Sequence, residues 1–317
     1  MAIANVIVTC TKSKTVPVPA SLKLRAVKRG SVQQRASFWL ERLKKTSEER
    51  IKVENIYKGD HWSAAKDIRN LDGGEKHQIW VCSAGYGLLS LDDKVPSYSA
   101  TFSGSNPDSV VAKSKVLDRR SGLADWWDSL CKWPKSTLRP KRSVQSLAVA
   151  SPDTPLIVIG SDEYLFAMQR DLQAALAKLS SPNLLSIFSA GCKQLEGLDQ
   201  NLIPYDARMQ SYVGGALRSL NMRVARWALA ECGRAKPTKK VLQKKVSEQL
   251  KNQPAFAMPI RKPVTDDAVR KFILRELNRD SRACHSPLLR KLREQNKACE
   301  QKRFASLFRE VKEHVDG

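Results

Sequence analysis

The sequence predicts an α/β fold with a mostly parallel sheet, flanking helices and a basic helical unit at the carboxyl end. Two observations predict it. Short β-branched or apolar runs alternate with helical patterns over the first two thirds of the chain, which is typical of a sheet with helices on both faces. Positive charge then accumulates in the last quarter, where only helical patterns occur.

The strands are predicted from four short apolar runs. Each is only a few residues long and lacks a polar-apolar alternation, as expected for a strand that is covered on both faces. The runs are Asn5–Cys10, Ile79–Ala84, Leu156–Gly160 and Leu184–Ala190.

The helices are predicted from apolar residues that recur with helical spacing. A glycine pair interrupts the last of the patterns, although glycine ordinarily weakens a helix interior. The predicted helices are Val32–Lys45, Ala112–Leu130, Leu165–Leu179 and Ala207–Glu231.

The charge of the chain indicates a polyanionic partner. The 317 residues include 55 Lys and Arg against 32 Asp and Glu, a net charge of +23. Such a field repels itself, and a phosphate backbone relieves that repulsion. We therefore expect double-stranded DNA as the partner, with an anionic membrane surface as the alternative. No apolar stretch reaches the roughly 18 residues that span a bilayer, and we expect a cytoplasmic protein with no obligate protein partner.

Metal and cofactor sites are not predicted. The seven cysteines are scattered without a C-x-x-C pair, and the four histidines show no ligand spacing. The phosphate-binding patterns G-x-x-x-x-G-K and G-x-G-x-x-G are also missing from the sequence. We therefore expect no metal and no organic cofactor.

The composition changes beyond residue 232. The remaining 85 residues hold 22 Lys and Arg against 10 Asp and Glu, so we expect an α/β domain over 1–232 and a basic helical domain over 233–317. Three helices are predicted in the second domain, at Thr265–Leu277, Leu288–Gln295 and Glu300–Val311. Their order fits a helix-turn-helix unit that binds DNA, or a plain three-helix bundle with a solvated basic face.

Two connecting segments have alternative interpretations. Cys131–Ser143 has two prolines and five basic residues, and is either a linker or a loop that contacts phosphate. Gly160–Glu163 follows a predicted strand and begins a helix, so it is either an anion site or an ordinary helix cap.

The segment Ser83–Ser103 has the composition of a ligand site. It follows a predicted strand, where open α/β sheets bind their ligands. Tyr86 and Tyr98 can stack on a planar base, and Asp92 and Asp93 lie between them. A structural turn with two solvated aspartates is the alternative.

Three blocks of sequence resemble a bacterial α/β family: V-T-C-T-K-S-K (8–14), Y-K-G-D-H-W (57–62), and S-A-G-Y-G-L-L followed by D-D-K-V-P-S-Y-S-A-T-F (83–102). That family has a Ser-Ala-x-Tyr-Gly-Leu and Pro-x-Tyr signature. It is similar to the peroxide-stress DNA-binding family and to a domain of archaeosine-type transglycosylase relatives. The basic chain with its appended helices also resembles prokaryotic antiviral DNA glycosylases that excise hypermodified cytosine from phage DNA.

The resemblance implies cleavage of an N-glycosidic bond, in which a base is flipped out and positive charge grows on the sugar. A carboxylate can stabilise that charge, or an amine of lowered pKa can attack the sugar. The candidate catalytic residues lie at predicted strand ends, and the candidate base-pocket residues lie near them. The catalytic candidates are Asp92, Asp93, Lys12, Asp60 and Asp162, and the pocket candidates are Ser83, Tyr86, Tyr98, Phe102 and Trp62.

The candidate DNA contacts lie on the arginine-rich helix and on the last two helices. They are Arg208, Asn221, Arg223, Arg290, Lys291, Lys302 and Arg303. The resulting hypothesis is a DNA glycosylase that removes a modified pyrimidine, such as glucosylated hydroxymethylcytosine of phage DNA, and leaves an abasic site in anti-phage defence. The alternatives are a non-catalytic DNA-binding protein and a base-exchanging transglycosylase that acts on RNA.

Overall fold

The computed structural model describes residues 3–28, 30–71, 77–111, 116–132, 142–233, 235–256 and 260–316. The α-helices in these ranges are α1 (Val32–Lys45), α2 (Val53–Ile56), α3 (Asp60–Ile68), α4 (Val116–Lys132), α5 (Val144–Ala150), α6 (Asp162–Leu176), α7 (Met209–Val213), α8 (Leu220–Ala230), α9 (Lys239–Lys251), α10 (Asp266–Arg279), α11 (His285–Glu294) and α12 (Gln301–Asp316). The strands are β1 (Asn5–Thr9), β2 (Ile51–Lys52), β3 (Gln78–Ser83), β4 (Gly87–Ser90), β5 (Lys94–Val95), β6 (Leu156–Ile159), β7 (Leu185–Phe188), β8 (Leu202–Ile203), β9 (Lys262–Pro263) and β10 (Lys297–Ala298).

Six strands form the main sheet in the order β4-β3-β1-β6-β7-β8. Five of them are mutually parallel, and β4 alone pairs antiparallel, with β3. Every residue of β1, β6 and β7 is buried, as a parallel sheet with helices on both faces requires. The predicted α/β fold class, with its mostly parallel sheet and its carboxyl-terminal helical region, is confirmed.

The chain reverses its direction across the sheet after β3. From β1 it passes to β3 on one side, and it later enters β6 on the other side of β1. In open α/β sheets such a reversal leaves a crevice at the carboxyl ends of the two adjacent strands, and ligands bind there. The fold therefore points to the crevice between the loops after β1 and β6, which we call the switch-point site.

The segment Ser83–Ser103 is not the open loop that the sequence predicts. The chain turns and comes back as β4, so that Ser83 pairs with Gly87 and Trp80 pairs with Ser90. Gly87 has a φ of +75°, a conformation that glycine adopts without a steric penalty and that makes this tight turn possible. The residues directly after Ser90, which include Asp92 and Asp93, therefore lie away from the carboxyl edge of the sheet.

The long helix predicted over Ala207–Glu231 is divided. It forms the short α7 and the longer α8, because Gly214 and Gly215 adopt φ values of +69° and +77° between them. A right-handed helix cannot continue through two residues of positive φ. A Cβ at residue 215 would also come within 2.2 Å of Arg223 Nε, so only glycine fits beneath that side chain.

The boundary between the two parts of the chain lies after Pro254, whereas the sequence predicts it at residue 232. The difference is α9, which is rich in lysine but buries Leu242 and Val246 completely in the core of the first unit. Its basic residues are the solvated face of an amphipathic helix. The basic composition therefore begins after residue 232, whereas the chain leaves the core of the first unit only after Pro254.

The second unit, Ala255–Gly317, has a hydrophobic core of its own. Apolar side chains of α10, α11 and α12 form it, including Phe272, Leu292 and Phe304. Thr265 caps α10 by accepting a hydrogen bond from the Ala268 N–H at 3.3 Å, as its position predicts. Whether the unit acts as a helix-turn-helix remains a prediction.

Two predicted segments lie partly outside the described residues. The segment Cys131–Ser143, predicted as a linker or a phosphate-contacting loop, falls mainly on 133–141, and the predicted helix Ala112–Leu130 begins on 112–115. Within the part of the chain that is described, no helix is both long enough and apolar enough to cross a membrane.

Candidate active site at the carboxyl edge of the sheet

The switch-point site is built where β1 and β6 end side by side. Gly160 directly follows β6, and a Cβ there would lie 3.1 Å from Thr9 Cγ2 at the end of β1. The Gly160 N–H donates to the Phe188 carbonyl at 3.2 Å, and the Cys10 N–H donates to the Cys82 carbonyl at 3.1 Å. These bonds extend the pairing of β6 with β7 and of β1 with β3 by one residue past the strand ends.

A thiol and a phenol meet across this crevice. Cys10 Sγ lies 3.2 Å from the hydroxyl of Tyr164, which projects from the first turn of α6. Burial raises the pKa of the Tyr164 hydroxyl well above its ordinary value, and the neighbouring Cys10 raises it further. Tyr164 is therefore a neutral phenol at physiological pH.

Next to the crevice, three hydroxyl groups form a buried chain. Ser83 Oγ lies 2.6 Å from the Tyr98 hydroxyl, which lies 2.8 Å from the Tyr57 hydroxyl. Ser83 Oγ also accepts hydrogen bonds from the N–H groups of Gly85 at 3.2 Å and Tyr86 at 3.0 Å. Because a serine hydroxyl has two acceptor sites and one proton, Ser83 must donate to Tyr98, and Tyr98 then donates to Tyr57.

Lys14 lies on the faces of these two tyrosines. Its Nζ is 4.5 Å from the ring centre of Tyr57 and 4.8 Å from that of Tyr98, and it donates to the Thr11 carbonyl. Burial lowers the pKa of the Lys14 amine from its ordinary value, and the nearby Cys10 acts in the opposite direction. The sequence favoured Lys12 for this position, but Lys12 is exposed.

The side chain of His61, in the first turn of α3, contacts the end of β1. Its Nε2 lies 3.2 Å from the Thr9 carbonyl oxygen, so this nitrogen must be protonated and donate. Burial is the main reason that the pKa of His61 is lowered, with Asp60 opposing it. The ring is therefore neutral at neutral pH, with Nδ1 as an acceptor.

The candidate carboxylate that lies at the switch point is Asp162. It stands in the first turn of α6, and its Oδ1 accepts a hydrogen bond from Ser189 Oγ at 3.1 Å. Ser189 follows β7, so Asp162 spans the carboxyl ends of two neighbouring strands. Among the described residues it has no ion-pair partner, and its side chain is half-buried. Asp162 thus combines a negative charge with partial solvent exposure at the carboxyl edge of the sheet.

The other three candidate carboxylates are engaged by cations. Asp60 accepts hydrogen bonds from Arg223 Nε at 3.1 Å and from Ser219 Oγ at 2.5 Å. The Arg223 guanidinium is the main cause that lowers the pKa of Asp60. Its charge is thereby used to join α3 to α8.

Asp92 and Asp93 lie beyond β4 and not in the site. Asp92 is half-exposed, 3.7 Å from Lys52 Nζ. Asp93 is nearly buried, forms an ion pair with Arg142, and accepts a hydrogen bond from the Ser90 N–H at 2.8 Å. The antiparallel return of β4 explains their position, because it carries both residues away from Ser83.

The predicted base-pocket residues are part of the core. Tyr98 and Phe102 are 0% exposed, Trp62 is 1% exposed and Tyr86 is 5% exposed. Their polar groups are used internally, as when Trp62 Nε1 donates to the Glu54 carbonyl at 3.0 Å. They shape the floor of the site and do not present a stacking surface in this conformation.

An open cavity of about 460 Å³ lies beside Asp60, between α3 and the α7–α8 pair. Its walls include the ion pairs Asp60–Arg223 and Asp67–Arg226 and the ring of Tyr212, which is 48% exposed. Tyr212 packs edge-on against Trp227, with ring centres 5.4 Å apart. Exposed aromatic rings beside guanidinium groups are typical of surfaces that bind single-stranded nucleic acid.

The predicted DNA contacts of the first unit have internal partners. Arg208 pairs with Asp206 at 2.9 Å, and Arg223 pairs with Asp60. Asn221 donates to the Gly160 carbonyl at 2.8 Å and accepts from the Ala190 N–H at 3.0 Å, which ties α8 to the loops after β6 and β7. Asn221 therefore supports the edge of the sheet instead of facing solvent.

The predicted contacts of the second unit fall into two pairs. Lys291 binds Glu276 and Arg303 binds Asp266, and both contacts stabilise the helical bundle. Arg290 and Lys302 are exposed and form no ion pair among the described residues. The latter two are the better candidates for phosphate contacts.

Sequence reasoning missed Lys14, Tyr57, Tyr164 and the Cys10 thiol as a group. Tyr57 reaches Lys14 through the backbone bridge between these two residues, and Tyr164 reaches Cys10 because β1 and β6 are neighbours. Among the described residues no cluster of three or more His, Cys, Asp or Glu side chains could hold a metal ion. A comparison with protein-family models and with curated proteins finds no match to this chain.

Proposed function

We propose that the protein is a DNA glycosylase that excises a modified pyrimidine at the switch-point site. The substrate in this proposal is glucosylated hydroxymethylcytosine of phage DNA, the product is an abasic site, and the role is anti-phage defence. The observation that carries the proposal is Asp162, a carboxylate at the topological switch point that accepts from Ser189 and has no ion-pair partner among the described residues.

Such a carboxylate has a defined task in cleavage of an N-glycosidic bond. As the bond between C1′ and the base nitrogen breaks, positive charge grows on the sugar, and Asp162 stabilises it. The same carboxylate orients the water whose oxygen then bonds to C1′, and the water's proton is released to solvent while the base leaves. A duplex substrate must first expose its nucleotide to the crevice by base flipping.

Charge supports DNA as the partner. The net charge is +23, and the exposed cations Arg290 and Lys302 are available to phosphate because no carboxylate among the described residues pairs with them. Unpaired surface cations contribute to affinity by releasing counterions from the DNA backbone. The second unit is thus proposed to supply affinity, and the first to supply the reaction.

The proposal is tested by Asp162→Asn, which keeps the size of the side chain and an acceptor for Ser189. Base release from duplex DNA that contains glucosylated hydroxymethylcytosine should fall by about 100-fold or more, the usual effect of losing one electrostatic contact to a transition state. Affinity for the same DNA should change by less than about threefold, or about 0.7 kcal/mol.

Asp92→Asn is the matched control, because it removes the same charge from an exposed position outside the site. Its base release should equal that of the wild type. Wild-type release by Asp162→Asn would contradict the assigned role of Asp162. No release by the wild-type protein from any modified DNA would refute the glycosylase proposal.

A non-catalytic DNA-binding protein is the second candidate, and one observation favours it. The aromatic residues that were expected to hold a flipped base are 0% to 5% exposed, so a base would have to be held by other side chains. This candidate predicts salt-dependent DNA binding with no base release.

A further inference from the structure

Lys14 is a partly buried amine of the site for which hydrolysis by Asp162 gives no task. Its Nζ lies on the faces of Tyr57 and Tyr98 and donates to the Thr11 carbonyl. Among the described residues it has no carboxylate partner, so it does not form an ion pair that would explain its burial. A lysine that is partly buried without such a partner loses hydration of its ammonium group at a cost in free energy, and a role for the amine itself would account for this position.

The position of Lys14 matches that of a group that meets the sugar. It follows β1 by five residues and is fixed to the start of the Y-K-G-D-H-W block by a backbone bridge between Lys14 and Tyr57. Cys10, which is close enough to affect its pKa, contacts Tyr164 two residues beyond Asp162. Cys10 thus links the Lys14 segment, which follows β1, to Tyr164 in the first turn of α6, which follows β6.

We propose that Lys14 is an amine nucleophile that forms a Schiff base with C1′ of an abasic deoxyribose, so that the site is an abasic-site lyase. The inference rests on the proposed function only for the origin of the abasic site, because the lyase step needs no modified base.

The step balances without an added reactant. The lone pair of the neutral Lys14 amine attacks C1′ of the ring-opened sugar aldehyde, forming an N–C1′ bond. The aldehyde oxygen takes both amine protons and leaves as water, and the imine nitrogen takes one proton from solvent to become a protonated imine. Loss of the C2′ proton to solvent moves electrons toward the 3′ carbon, the C3′–O bond breaks, and the 3′ phosphate leaves with its electron pair. Water then hydrolyses the imine and returns the amine.

The environment favours this chemistry because an amine must be neutral to attack. Burial lowers the pKa of Lys14 from its ordinary value of 10.5. The groups that face it are the Tyr57 and Tyr98 rings and the Cys10 thiol. Burial raises the pKa of both phenols well above their ordinary range, so they provide no negative charge to hold the lysine protonated near neutral pH.

The test uses the full-length protein and a duplex oligonucleotide with a single preformed abasic site. Borohydride reduces the imine by adding hydride to C1′, which leaves a permanent bond between protein and DNA. The wild-type protein should give this adduct, and peptide mapping should locate it on Lys14. Lys14→Gln and Lys14→Arg should both lose the adduct, although the arginine variant keeps the positive charge.

Lys12→Gln is the matched control, because Lys12 is an exposed lysine two residues away. It should form the adduct at the wild-type rate. In the wild type, the trapping rate should rise with pH and level off below 10.5, the ordinary pKa of a lysine.

An adduct on another lysine, an adduct that persists in both Lys14 variants, or no adduct from wild-type protein that binds the abasic duplex would each overturn the proposal. These results are independent of the glycosylase test. A protein that nicks abasic DNA but releases no modified base would refute the proposed glycosylase and leave the lyase intact.

Discussion

Replacing Asp108 by asparagine should destabilise the first unit measurably. Asp108 is 1% exposed and accepts four hydrogen bonds. Three come from Arg25, through its backbone N–H at 2.9 Å, Nε at 2.8 Å and Nη2 at 2.6 Å, and one comes from Ser99 Oγ at 2.7 Å. Together they hold the segment before α1 against the strand-like segment that contains Tyr98.

The size of the effect follows from these contacts. A buried carboxylate that loses its charge beside a guanidinium costs about 3–5 kcal/mol when both partners are buried. The Arg25 side chain is 51% exposed and recovers hydration in the variant, so we expect the free energy of unfolding to fall by about 2–3 kcal/mol. Ser99→Ala removes one neutral donor and should cost only about 1 kcal/mol.

The effect should also depend on pH. Arg25 and Ser99 bind the charged carboxylate, and the pKa of Asp108 in the folded protein is lowered to about 2 from 3.8 despite the opposing effect of burial. A group with a lowered pKa stabilises the fold above its unfolded pKa and loses that contribution as the pH falls through the folded value. The difference between wild type and Asp108→Asn should therefore be constant above pH 5 or so and shrink as the pH falls from about 4 to about 2.

Urea unfolding followed by tryptophan fluorescence is a suitable assay, because all seven tryptophans precede Pro254 and report on the first unit. Equal unfolding midpoints for wild type and Asp108→Asn at neutral pH would refute the reasoning. A difference that stays the same at pH 3 would show that the charge of Asp108 is not its cause.

Two further predictions concern the whole chain. Removing residues 255–317 should leave a folded first unit, since the second unit has a separate core. Removing 233–317 should destabilise the first unit, because it takes away Leu242 and Val246 from its core. Circular dichroism and urea midpoints would measure both truncations, and equal stability of the two would contradict the boundary at Pro254. The affinity of the full-length protein for duplex DNA should fall as salt rises, with a slope of about −5 or steeper in a plot of the logarithm of the binding constant against the logarithm of the salt concentration. A slope near zero in fluorescence-anisotropy titrations would exclude an electrostatic interface.

The sheet was predictable from the sequence, because buried parallel strands produce uninterrupted apolar runs such as Leu156–Gly160. The strand β4 was not, since Gly87–Ser90 is short and lies in a segment of turn-forming composition. That single omission displaced the expected site, because the direction of β4 decides where Asp92 and Asp93 lie. A single sequence gives no information on which way a chain turns after a strand.

Side-chain direction was the second quantity that the sequence could not provide. The spacing of Lys12 and Lys14 after β1 is compatible with either lysine in the crevice, and the choice depends on the bridge between Lys14 and Tyr57. Trp126 and Trp127 show the same limit, because adjacent helical positions diverge by about 100° and a one-sided helix buries only one of them. Both are fully buried because α4 packs against α6 as well as α1.

The backbone turn at Gly85 and Tyr86 determines the direction in which the hydroxyl protons of Ser83 and Tyr98 point. Its two N–H groups occupy the acceptor sites of Ser83 Oγ, so Ser83 donates to Tyr98 and Tyr98 donates to Tyr57. Burial keeps the pKa of both phenols, Tyr57 and Tyr98, far above physiological pH. The direction of these hydrogen bonds therefore does not change within the physiological pH range. The hydroxyl proton of Tyr98, on one of the two rings that face the Lys14 amine, is therefore oriented by a turn of the main chain.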